Sequence, residues 1–339
     1  MPALAPIREL TGCTPEALPL QALLAAGEPV VLRGLVADWA LVQAAKQGTA
    51  QAMDYLRGQD AGKAAPYSYG PPDIGGRPYY NDDFTALNFD VRRGTISEVL
   101  GEIAAHLEAA QPPTYYMASL LIDDSLPAFR AANDLPFNET DAPVRRSIWI
   151  GNRVVASCHH DVPNNIACCA VGRRRFTLFP PEQAEHLYPG PLELTPGGQA
   201  VSLVDFAAPD LARFPDFPKA LEHGLTTELE PGDAIFIPSM WWHHVQGLAS
   251  FNVLVNYWWN SMPAWIPPPM QAMQMAMWTI RDRPEAEKQA WRAMFDYYVF
   301  GDAQRAGAHL PPQARQLLAP IDETMARQLR AMMIGRLNR

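Results

Sequence analysis

The chain has 339 residues, of which 48% are hydrophobic and 19% charged, enough apolar material for a sizeable folded core. A formal net charge of −9 argues against general nucleic-acid binding, which calls for a basic surface. No stretch approaches the ~20 uninterrupted apolar residues of a membrane span, and Met1–Glu9 lacks the basic-then-apolar order of a secretion signal. The four cysteines, Cys13, Cys158, Cys168 and Cys169, form no Cys-x-x-Cys pair, a usage that points to a reducing cytoplasm rather than a disulfide scaffold.

In chain order, residues 15–26 read as a short helix closed by Gly27-Glu28-Pro29, and Val30–Val36 as a buried strand. Residues 40–57 have helical composition. Tyr79–Phe84 reads as an exposed aromatic and acidic loop, or as a substrate-facing rim. A helix opens near Thr95 and runs to about Leu107, with Thr95 or Ser97 as its cap. From Thr114 to about Asn260 the rhythm changes to short strands separated by turn residues, as in a barrel or sandwich. Strands are expected at Tyr115–Leu120, Ser147–Ile150, Ile166–Val171, Arg173–Phe179, Ala234–Ile237 and Phe251–Trp259. The 33 prolines favour such short strands and turns, and residues 180–229 are especially rich in them. Pro263 and Pro267–Pro269 mark a boundary. Beyond it Trp291, Met294, Phe295 and Tyr298 form one helical apolar stripe, and Ile321, Met325, Leu329 and Met332 another. Three regions result: 1–113, helices and strands packed on a barrel; 114–262, the barrel core; and 263–339, a helical segment.

Ser157-Cys158-His159-His160-Asp161 is the stretch on which the rest turns. In an extended segment residues i and i+2 share a face, so His159 and Asp161 aim an imidazole and a carboxylate at one point. One more His from another strand would complete a 2-His-1-carboxylate triad, the set that leaves coordination positions open on Fe(II). Within Trp241-Trp242-His243-His244-Val245, alternation groups Trp241, His243 and Val245 on one face, and this apolar company favours His243. The plain alternative is four ordinary barrel histidines with hydrogen-bond partners. Along Arg173–Leu178 the apolar face Phe176 and Leu178 also carries Arg174. An inward guanidinium is costly unless paired. Its partner is either an internal carboxylate or the distal carboxylate of a bound diacid, with Asn165 and Asn256 as further inward donors.

His159-His160-Asp161, Gly172–Pro181, Pro231–Pro238, Trp241–His244 and Val255–Trp258 together resemble the JmjC, or cupin-like, 2-oxoglutarate oxygenases. The branch most resembled contains the asparaginyl hydroxylase called factor inhibiting hypoxia-inducible factor. The likeness runs from about Pro29 to Asn260. It implies a mainly β fold, a double-stranded β-helix (jelly roll) with flanking N-terminal helices and a C-terminal helical segment. It implies His159, Asp161 and His243 as iron ligands and Arg174, Asn165, Asn256 and Tyr115 as cosubstrate-pocket residues. The cofactors implied are Fe(II) and 2-oxoglutarate, with O2 consumed and succinate and CO2 formed. Arg174 stands where many members have Lys. Ala156, with Ser157 beside it, stands where the hydroxylase has a cosubstrate-binding Thr.

The expected activity is hydroxylation of a protein or peptide side chain; hydroxylation of a small molecule, or a non-enzymatic metal-binding cupin, are the alternatives. No nucleic-acid or membrane partner is expected. The C-terminal stripes, with Met270, Met273, Met277 and Trp278, lead to the expectation of a homodimer built beyond about Pro269.

Overall fold

A computed structural model describes residues 4–137 and 143–338; Met1–Ala3, the head of the N-terminal reading above, lie outside them. Contacts divide the chain into two units, Met1–Ser261 and Met262–Arg339. The first contains the strands β1 (Ala5–Pro6), β2 (Arg8–Leu10), β3 (Val30–Leu32), β4 (Ala65–Gly70), β5 (Asp90–Gly94), β6 (Thr114–Leu121) and β7 (Arg145–Gly151). After these come β8 (Val155–His160), β9 (Asn164–Val171), β10 (Arg174–Phe179), β11 (Leu225–Leu229), β12 (Ala234–Ile237), β13 (Trp242–Gly247) and β14 (Asn252–Trp259). They form two sheets, ordered β1-β11-β10-β13-β8 and β2-β3-β12-β9-β14-β7-β6-β4-β5. This is the mainly β jelly roll implied above. The N-terminal region does more than pack on the barrel, since it contributes β1 to the smaller sheet and β2 to β5 to the larger.

Strand alternation builds the layers. On β9, Ile166, Cys168 and Ala170 join the core shared with the N-terminal helices, while Ala167 and Cys169 join the core between the sheets. On β12, Ala234 and Phe236 divide from Ile235 and Ile237 in the same way, and on β14 Val253, Val255 and Tyr257 divide from Leu254. All of β9 is buried, consistent with a strand covered on both faces. Each large aliphatic side chain so buried contributes about 1.5–3 kcal/mol. Helix Ile96–Ala105 turns Ile96, Val99, Leu100 and Ile103 into the first of these cores. A third cluster, including Phe179, Leu187, Phe217 and Trp242, lies between the outer face of the five-stranded sheet and the proline-rich segment after β10.

Several local expectations are corrected. The helix over 40–57 is two helices, Ala40–Gln47 and Thr49–Gln59, broken at Gly48, whose φ of 148° and ψ of 167° no helix accommodates. The helix over 15–26 is a short 3-10 turn, Pro15–Ala17, and a helix Leu20–Ala26, parted by Pro19. Thr95, not Ser97, caps the next helix through a capping box with Glu98. The strand at 30–36 ends at Leu32 because the chain turns at Gly34 (φ 70°). There Asp233 fixes the turn, accepting from Gly34 N at 2.9 Å and from Arg33 Nη1 at 2.6 Å. Tyr80 is buried rather than part of an exposed loop.

Candidate active site

β8 lies at one edge of the five-stranded sheet and pairs with β13 so that His159 stands opposite His243. Asp161 follows directly after β8, and its carbonyl accepts from Met240 N at 2.8 Å, tying the approach to β13 against it. Donor atoms of His159, Asp161 and His243 all lie within 4.8 Å of one another. Nε2 of His243 is 3.6 Å from Asp161 Oδ2, and the two imidazole centroids are 4.3 Å apart.

Backbone carbonyls fix both rings. His159 Nδ1 lies 2.8 Å from the Ser157 carbonyl, and His243 Nδ1 3.0 Å from that of Trp241. A carbonyl only accepts, so Nδ1 carries a proton in each ring, and Nε2 is the ring nitrogen left for another partner. Burial is the main reason that His243 is held down at about 4, with the neighbouring His159 acting in the same direction, so the ring is neutral near pH 7. Two imidazoles presenting Nε2 and one carboxylate form a donor set that suits a divalent transition metal, with the outer hydrogen bonds such sites use to orient their ligands. The residues present therefore fit an iron ion.

A narrow cavity of about 50 Å³ runs off this cluster between the sheets. Among its walls are Arg174 from β10, Asn165 from β9, Asn256 from β14 and Tyr116 from β6. The turn into β10 sets the phase of Arg174. It passes through Gly172 at φ 72°, where a Cβ would stand 2.5 Å from Phe251 O and Asn252 Oδ1. Arg174 faces inward with Phe176, while Arg173 and Arg175 face outward onto Glu228. Arg174 is only 4% exposed, and among the described residues no carboxylate lies within ion-pairing distance of it. Its Nε is buried without a partner, as are Asn165 Oδ1 and Trp258 Nε1, while Asn256 Oδ1 accepts from Trp149 Nε1 at 2.8 Å.

Of the residues singled out in the sequence, His159, Asp161, His243, Arg174, Asn165 and Asn256 are brought together; Tyr115 is not. Its side chain turns to the helical side, where its hydroxyl donates to Glu102 at 3.1 Å and its ring sits against Tyr69. Tyr116 lines the cavity instead, its ring 5.8 Å from that of Trp149. Burial pushes Tyr116 up to about 12, against the opposing charge of Arg174, so it stays a neutral hydroxyl. The signal was present in the pair of adjacent tyrosines, one of which had to face each side of β6.

Ala156 also lines the cavity, an outcome of a bulge. His159 pairs with His243 and Ala156 with Val245, so two residues of β8, Ser157 and Cys158, stand opposite the single residue His244. Ser157 is thereby turned aside, and its hydroxyl accepts from Arg77 Nε at 2.9 Å. His244 faces the outer layer, stacked on Phe206 at 4.5 Å, and His160 packs edge-on against Trp242 at 4.6 Å.

Comparison with known sequences agrees with this architecture. Residues 15–264 match the cupin-like domain, and the chain belongs to that family, of the JmjC type. It is similar to HSPB1-associated protein 1 of Rattus norvegicus, 38% identical over 114 residues, which are 33% of this chain and 23% of that protein. It is also similar to tRNA wybutosine-synthesizing protein 5 of Danio rerio, 39% identical over 31% of this chain and 29% of that protein. Lysine-specific demethylase JMJ31 of Arabidopsis thaliana is 35% identical over 31% of this chain and 19% of its own length. The match thus spans less than a third of each relative.

Proposed function

We propose that this protein is an Fe(II)- and 2-oxoglutarate-dependent oxygenase, a hydroxylase of a protein or peptide side chain. The observation that carries the reading is Arg174. A buried guanidinium with no carboxylate partner calls for an anion, and this one lies in the cavity that the three-donor cluster opens onto. His159, Asp161 and His243 would hold the iron, and Arg174 the distal carboxylate of 2-oxoglutarate by its planar fork. Tyr116, Asn165 and Asn256 would supply further hydrogen bonds along the same wall. Bound iron supplies the O2 chemistry that couples decarboxylation of 2-oxoglutarate, to succinate and CO2, with oxidation of a substrate C–H bond. The apolar side chains round the cavity, among them Phe176, Ile237 and Val245, exclude water from it.

Three donors rather than four favour this reading over a structural metal site, which would be closed. The name of the demethylase relative supports a protein substrate, and the net charge of −9 speaks against a polynucleotide. None of the four cysteines is in a disulfide, which suits the cytoplasmic location that goes with the proposal. The test is turnover: with Fe(II), 2-oxoglutarate and O2 the protein is expected to form succinate, and to form none when iron is omitted. Iron-independent turnover, or none under any condition, would sink the assignment.

A homodimer built by residues beyond about Pro269 is part of the same proposal. Within the second unit an apolar groove of about 710 Å³ is lined by Met275, Phe295, Ile321, Leu329 and Met333. Trp278 and Phe300 are 73% and 76% exposed, apolar surface that a second copy would cover. Light scattering should give twice the chain mass at micromolar concentration, and Leu329→Glu should return it to the monomer mass. A wild-type monomer would end the idea.

A further inference from the structure

The outer face of the five-stranded sheet carries a second cavity, of about 470 Å³, that the proposed chemistry does not use. His244 and Gln246 of β13 and Thr177 and Arg175 of β10 form its polar side, and Phe206 and Phe217 its apolar side. His244 is 5% exposed, yet neither ring nitrogen has a partner among the described residues. An uncharged imidazole offers one donor and one acceptor, and leaving both unmet in a buried position is costly. Such a group calls for an explanation, and a ligand in a cavity of this size is one.

The surroundings specify the ligand's chemistry. Phe206 is stacked on the His244 ring, 4.5 Å between centroids and 25° between planes, so an aromatic side chain stands beside the unpartnered imidazole on the cavity wall. At the rim, Arg175 and Arg173 share one carboxylate: Arg175 donates to Glu228 Oε1 at 2.6 and 3.0 Å, and Arg173 to Oε2 at 3.4 Å. Two guanidiniums on one carboxylate leave a net positive charge there. We propose that this cavity is a second small-molecule site, for a planar organic acid that also bears a hydrogen-bonding group, with the ring against Phe206, the polar group on His244 and the carboxylate at Arg175. The site lies on the face of β13 opposite His243, so it is separate from the candidate metal centre and does not depend on that assignment.

The probe is 4-hydroxybenzoate, titrated calorimetrically into the full chain. Saturable binding is expected with a Kd on the order of 1 mM or tighter. The uncharged 4-hydroxybenzamide should bind about tenfold more weakly, as should the acid to Arg175→Gln; His244→Phe, which keeps the stacked ring but removes both nitrogens, should lose binding. Excess 2-oxoglutarate should leave the affinity unchanged. No saturable heat at ~10 mM probe, an unaltered affinity in Arg175→Gln, or displacement by 2-oxoglutarate would overturn the site. Arg175 is half exposed, so Arg175→Gln decides the matter if circular dichroism shows that His244→Phe does not fold.

Discussion

Alanine at His159, Asp161 or His243 is expected to reduce succinate formation to background, while alanine at His160 or His244 leaves turnover measurable. The contrast comes from strand phase and not from residue type. His159 and His243 present Nε2 to a common point, each ring held by a carbonyl two residues back in the chain. His160 and His244, one residue further along, lie against Trp242 and Phe206 on the other side of the same sheet. Losing even an outer partner of a metal ligand costs about 10–100-fold, so losing a ligand should cost at least that much. Titrating iron into each variant separates failed binding from failed chemistry. A dead His244→Ala beside an active His243→Ala would mean that β13 enters the site in the opposite phase.

Arg174→Ala should raise the 2-oxoglutarate concentration for half-maximal turnover by about 30-fold or more. A hydrogen bond to a charged group contributes roughly 1.5–3 kcal/mol, and each 1.4 kcal/mol is tenfold. Arg174→Lys should lose less, because it keeps the charge and loses only the planar fork. The alanine variant also removes a buried charge that among the described residues lacks a carboxylate partner, so its melting temperature should hold or rise while its cosubstrate demand climbs. An unchanged 2-oxoglutarate requirement would remove Arg174 from the binding cradle and leave Tyr116 or Asn165 to anchor the acid.

The central geometry was legible because it depends on period-two alternation in strands with one phase each. His159 with Asp161, Arg174 with Phe176, and His243 with Val245 all follow from that rule. It was silent where a strand is locally irregular. The Ser157–Cys158 bulge turns Ser157 toward Arg77 and leaves Ala156 on the cavity, an outcome no count of residues anticipates. On β6 the two tyrosines had to split between faces, and which one turns to Glu102 and which to the cavity follows from the strand's pairing with β4 and β7. Resemblance alone had favoured Tyr115. β1, β2, β4 and β5 escaped notice for another reason. Segments such as Arg8-Glu9-Leu10 and Asp90–Gly94 are largely exposed and carry no apolar alternation, so only their neighbours make them strands. Tyr80 looked like loop surface because its burial under residues around Gly190 is a tertiary contact.

The most direct test of the central claim is anaerobic addition of Fe(II) to the protein in the presence of 2-oxoglutarate, followed by visible absorption. One equivalent of iron should produce a metal-to-ligand charge-transfer band that needs both iron and 2-oxoglutarate, and that is absent in Asp161→Ala. A protein that binds iron with no such band, or shows the same spectrum without 2-oxoglutarate, would contradict an open three-ligand centre beside a diacid site.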